Sequence, residues 1–475
     1  MALQSINIGS SANDGTGSTL RAAFDICNDN FSELYGGTTS ALGFKSEGTN
    51  FTGSLLIGHS TTGTISSAEN NTGVGIGALD ALTTGDANVA VGNLAGSAIT
   101  TGGSNILIGR AAGDALVEGS SNVAVGHFAL SAEDAHGRNT AIGTKALQNQ
   151  NAGADANNVA VGYEAGKEIT IGVQNTIIGG ITGDALTTGF GNTALGYAAL
   201  SSEDTGSRTV AIGWKALVDQ NYDGETYSVA VGYEAGLGTT TGIKNTLIGG
   251  RAGKSLTTGE KNVAIGYLAL SNEDANGFNV AVGVDALRDL DAGADAYNVA
   301  VGASAGASVS TGVRNVIIGG LAGDALTTGG RNVAIGYSAL STEDAGSYNT
   351  AVGYNALRDQ DAGDAYNTAI GYNAGVSIST GVENVLIGGL AGDSLTTGSY
   401  NVAIGHGSLD QEDGGSKNVA VGYLTLTAQD AGGDTHNTAV GHMAGTAVTT
   451  GTLNTLVGSL TSDALTTGNE NTAIG

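Results

Sequence analysis

The stretch Asn158-Val159-Ala160-Val161-Gly162 is answered 17 residues later by Asn175-Thr176-Ile177-Ile178-Gly179. Outward in both directions the motif recurs: a polar residue, three mostly apolar or β-branched residues, then glycine. It closes 25 times between Gly58 and Gly475. Successive closing glycines stand 17 residues apart, with a step of 18 or 19 at every fourth interval. A repeat of this length and regularity specifies a solenoid, whose coils bury their apolar faces by stacking on one another. Four coil classes alternate, giving a longer period of 70 residues from Gly92 to Gly162, Gly232 and Gly302.

Each motif position has a physical role. Asn opens 22 of the 25 coils, with Ser54, Thr209 and Ser228 as the exceptions, and stacked amides predict a hydrogen-bonded ladder. The closing glycine allows the positive-φ corner of each coil. Alternation along Val89-Ala90-Val91 sends the valines to one face and the alanine to the other. We expect the valines to fill the coil and the alanine face to pack on a second sheet or another chain. In second-class coils Ile177, Leu247 or Ile317 replaces that alanine, and Gly180, Gly250 or Gly320 stands where other coils often carry tyrosine. The pairing predicts compensation at one crowded layer. With strands about 4.8 Å apart, 25 coils make a rod on the order of 120 Å long.

Composition agrees. The 475 residues include 81 Gly and no Pro, and aromatic residues make up 5% of the chain, too few for several ordinary globular cores. Glycine does not recur at every third position, which excludes collagen. The net charge of −27 argues against nucleic-acid binding, which needs clustered Lys and Arg. Cys27 is the only cysteine, so no intrachain disulfide can form. No apolar run approaches a membrane span, and the first basic residue is Arg21, so no secretory signal is visible.

Residues 1–37 differ from the rest. Asn13-Asp14-Gly15 reads as a turn, and Leu20, Ala23, Phe24, Cys27, Phe31 and Leu34 mark one apolar helix face ending near Gly36. A lone helix of about 17 residues cannot bury that face alone, so it must cap the solenoid or dock on a partner. Residues 38–53 read as a transition and 54–475 as the solenoid. The final Asn471-Thr472-Ala473-Ile474-Gly475 stops within a coil motif, which predicts further chain beyond it.

The coil signature resembles the head repeats of trimeric autotransporter adhesins, parallel β-rolls assembled as trimers, although those repeats are shorter. The segments Ile6–Gly9, Ala12–Gly17, Leu20–Phe24 and Asn28–Tyr35 resemble the leader of bacteriophage tail-fibre proteins. In that family the leader lies at the virion-proximal end. The resemblance implies attachment to the particle through Asn13, Asp14, Gly15, Leu20, Arg21, Phe24, Phe31, Leu34 and Tyr35.

The pairs Glu133-Asp134, Glu203-Asp204, Glu273-Asp274, Glu343-Asp344 and Glu412-Asp413 suggest glycoside hydrolysis. Four coils separate successive pairs by on the order of 19 Å, where a catalytic pair needs roughly 5 to 9.5 Å, so solvated turn residues are expected. The loop residues Asp219 and Asp223, Asp291 and Asp295, Asp361 and Asp364, and Asp430 and Asp434 match no calcium-loop spacing and should line one edge. His127 and His406 stand where other coils carry Tyr197, Tyr267 and Tyr337, which suggests a rod surface and no metal site. Trp214 shares that column, where sugar stacking is conceivable. Turns such as Thr187-Thr188-Gly189 are absent from many coils and do not make an ice-binding face.

The reading is an all-β protein: a parallel β-solenoid of about 17 residues per coil and 25 coils, homotrimeric, with a short N-terminal helix. The resemblances imply a virion fibre assembled in the host cytoplasm. Its N-terminus would dock on a tail or baseplate protein, and its distal end would meet a host-surface receptor such as a polysaccharide. No enzymatic activity, cofactor, metal, nucleic acid or membrane insertion is expected. A bacterial surface adhesin, a tailspike depolymerase and a capsid decoration protein are the alternatives.

Overall fold

The structure, a computed structural model, describes residues 44–48, 51–58 and 65–475. The turn and helix expected within residues 1–37 lie outside them. The described chain is an all-β parallel solenoid of about 17 residues per turn, with no helix among the described residues. It falls into two compact units, one ending at Arg208 and one beginning at Thr209.

In the first unit, β1 (Phe44–Gly48) pairs antiparallel with β2 (Phe51–Ile57). That pair occupies much of the segment read as a transition. From β2 onward, through β3 (Thr72–Val74) to β10 (Thr193–Leu195), each strand pairs in parallel with the next. The second unit repeats the arrangement from β11 (Val210–Ile212) to β26 (Thr472–Ile474), every strand three residues long. Registers hold residue for residue, as in Val299 on Val316, Ala300 on Ile317 and Val301 on Ile318.

The direction of the strands reverses one expectation. The central residue of each three-residue strand from β3 to β25 points into the coil: Ala90, Ala160, Ala281 and Ala351 are wholly buried, while their valine, isoleucine and threonine flanks are half-buried or exposed. Alanine takes this inward position in most coils, and the β-branched flanks are left outside. Leu107, Ile177, Leu247, Ile317, Leu386 and Leu456 enlarge the lumen filling at every fourth coil.

Space for them comes from glycines four residues past the strand glycine. A methyl added at Gly236 or Gly253 would lie 2.7 Å from Leu247. The expected compensation by Gly180, Gly250 and Gly320 fails, because those glycines sit outside the coil. There they pass under the ring of the next coil: a methyl on Gly250 would be 3.3 Å from the Tyr267 ring.

The asparagine ladder is present. In the second unit the Asn332 side-chain oxygen accepts the Asn349 N–H at 2.9 Å, and its Nδ2 donates to the Gly346 carbonyl at 2.7 Å. The oxygen-to-N–H links run unbroken from Asn245 to Asn471 at 2.8 to 3.1 Å. In the first unit they run from Asn71 to Asn192, headed by the Ser54 hydroxyl, which accepts the Asn71 N–H at 2.8 Å. Burying such amides unpaired is costly, and in this ladder the Nδ2 groups of Asn139, Asn349 and Asn418 are buried without a hydrogen-bond partner.

Candidate functional site

Because alanine faces inward, the outer strand face carries the apolar flanks. Val91, Ile108, Ile142 and Leu195 in the first unit are 37–42% exposed. In the second unit Ile248, Val301, Ile318, Ile370 and Val440 are 36–39% exposed. The residue after the strand glycine adds an aromatic column beside this stripe. Tyr337, Tyr354 and Tyr372 stack in sequence with ring centroids 5.6 and 5.5 Å apart. His406, Tyr423 and His442 do the same at 5.7 and 5.3 Å, so histidine substitutes for tyrosine as a stacking ring. Trp214 stacks on Tyr233 at 5.0 Å, with the Lys215 ammonium 4.6 Å from its ring centre. Its ring is thus engaged in the column.

The acidic edge differs from the solvated turns expected. Glu133, Glu203, Glu273, Glu343 and Glu412 are all wholly buried. Each stands seven residues past its strand glycine, where other coils place Ile99, Leu116, Leu256 or Leu326 inside the coil. The carboxylate is held by a backbone N–H three residues on: Gly346 donates to Glu343 at 2.6 Å and Gly415 to Glu412 at 2.5 Å. In the next coil Gln360 and Gln429 turn inward and donate to the second carboxylate oxygen at 3.0 and 2.9 Å. Their own oxygens accept from Asn367 and Asn437, which ties the edge to the ladder.

Burial pushes the carboxyls of Glu133 and Glu343 above their ordinary value and raises Glu273 to about 6. Asp410 is raised to about 7 by burial, with the Asp393 carboxyl beside it adding to the rise.

The long-loop aspartates are exposed, as expected, yet they do not stand alone. The structure brings carboxylate oxygens of Glu273, Asp274 and Asp291 within 4.8 Å of one another. The groups Glu343-Asp344-Asp361 and Glu412-Asp413-Asp430 repeat the arrangement. Comparing only pairs 70 residues apart missed this, because the third carboxylate comes from the adjacent coil, 17 residues on. Aligning coils on their strand glycines would have placed Glu133 and Gln150 in the apolar column of Ile99 and Leu116.

The attachment residues expected at Asn13, Asp14, Gly15, Leu20, Arg21, Phe24, Phe31, Leu34 and Tyr35 lie outside the described residues. No protein-family model matches the chain, and neither curated proteins nor solved structures include a significant match.

Proposed function

We propose that the chain is the shaft of a homotrimeric virion fibre, attached to a phage particle by residues 1–37 and holding a host-binding end away from it. The observation that carries the assembly is the apolar outer face. Solenoid coils are already closed by alanine inside, so a repeating valine–isoleucine stripe is left over for packing against identical stripes. Covering it gains little per turn, at about 25 cal/mol per Å² of apolar surface, but the gain recurs along each unit. Threefold display then raises avidity at a cell surface. Attachment rests on the likeness of Ile6–Gly9 through Asn28–Tyr35 to tail-fibre leaders. A depolymerase is disfavoured because the glutamate of every pair is wholly buried, out of reach of a glycosidic oxygen.

Light scattering on the full chain should give three chains of 46.5 kDa, about 140 kDa. A stable 46.5 kDa particle would overturn the trimer. For attachment, a chain lacking residues 1–37 should fold and yet be missing from assembled particles. Normal incorporation of that chain would refute the docking role.

A further inference from the structure

The buried glutamates are stabilised in different ways, and Glu133 and Glu273 each keep one carboxylate oxygen, Oε2, without a hydrogen-bond partner. Glu343 and Glu412 each receive a glutamine amide from the following coil. Glu133 has a basic neighbour, the His136 imidazole 3.7 Å from its Oε1, whereas Glu273 has none among the described residues. In front of Glu273 the corresponding position is Leu290, also wholly buried. Oε1 of Glu273 accepts the Asn276 N–H at 3.1 Å and the Asn276 side-chain amide at 2.8 Å. Its Oε2 is buried and has no hydrogen-bond partner, although the residue is 0% exposed. The charged neighbours acting on it, Asp291 and Asp274, are both negative. A buried carboxylate oxygen with neither donor nor counter-charge is costly by several kcal/mol.

We propose that Glu273, Asp274 and Asp291 bind one calcium ion, which supplies the missing partner of Glu273 Oε2. The three residues offer oxygens within 4.8 Å of one another. Calcium holds its oxygens at 2.3–2.6 Å, which places two ligands of one ion no more than about 5 Å apart. All donors are hard carboxylates, and the set contains no imidazole or thiolate to favour zinc. Glu273 forms the floor, and the exposed Asp274 and Asp291, on adjacent turns, form a rim open to entering ions and to water ligands. The ion would clamp two successive turns through side chains, at a coil where leucine stands in the glutamine position.

The test is calcium titration of the full chain by calorimetry in roughly physiological salt, about 0.15 M, so that diffuse binding to the acidic surface is screened. Wild type is compared with Leu290→Gln and with Asp291→Asn. Leu290→Gln installs the donor found at Gln360 and Gln429, and Asp291→Asn changes an exposed rim residue. Wild type should take up one more calcium ion per chain than either variant, and calcium should raise its unfolding temperature more. Equal stoichiometry in wild type and Leu290→Gln, or no uptake by wild type, overturns the site. Should Leu290→Gln fail to fold, equality between Asp291→Asn and wild type overturns it equally.

Discussion

At the scale of single residues, Asp410 is the clearest departure from the repeat. Equivalent coils carry Ser131, Ser201, Ser271 and Ser341 there, whereas Asp410 faces Asp393 and is raised to about 7. The folded chain therefore holds a proton that the unfolded chain releases near the ordinary carboxylate value, about 4. Below that value both states are protonated and the pair costs nothing. As pH rises through about 7 the folded state must ionise, so the stability contributed by the protonated pair is lost. Asp410→Ser should match wild type in denaturant unfolding at about pH 4 and exceed it at about pH 8. A difference between the two proteins that stays constant with pH would contradict the assignment.

At the scale of the coil, the strand-closing glycine does more than turn a corner. Gly302 has φ +140°, and a methyl there would lie 2.5 Å from the Gly319 carbonyl oxygen of the next coil. Gly293, in a long loop, has φ +65° and open space around it. Gly302→Ala should cost about 1–3 kcal/mol from the backbone alone, with the clash in addition. Gly293→Ala should cost about 1–2 kcal/mol, the left-handed penalty only. Limited proteolysis should cut the Gly302 variant around its altered coil and leave the Gly293 variant as resistant as wild type. Equal resistance would show that neighbouring coils give way at little cost.

These same positions show what could be read beforehand. The asparagine ladder and the glycine corner were legible because each rests on one residue's local chemistry. The orientation of Val89-Ala90-Val91 was not, since alternation defines two faces without saying which is inside. The closed coil decides that, since only its other residues show which face is enclosed. Glu273 was misread for a related reason. Its neighbour Asp274 is exposed, and only the column of Leu256, Glu273 and Leu290 shows that the glutamate turns inward.

At the scale of the whole molecule, the period and the fourfold alternation of coils were visible in the sequence, while assembly was not. Because alanine faces into the coil, the proposed trimer would pack through the valine–isoleucine face. Ile318→Asp, at a site 37% exposed, should leave the coil intact and convert the particle to single chains. A trimer that survives this change would put the contact elsewhere. The ladder carries one more consequence, for how such a chain comes to be folded. Every link points the same way: a finished turn presents its amide oxygen to an N–H that lies about 17 residues later in the chain. During synthesis the completed end is thus a template with a vacant acceptor, and the next turn can be captured as soon as it leaves the ribosome. Winding would proceed in the direction of translation, one turn at a time, with no long wait for distant segments to meet. Biogenesis of so long a chain then resembles the growth of a crystal edge more than the collapse of a globule.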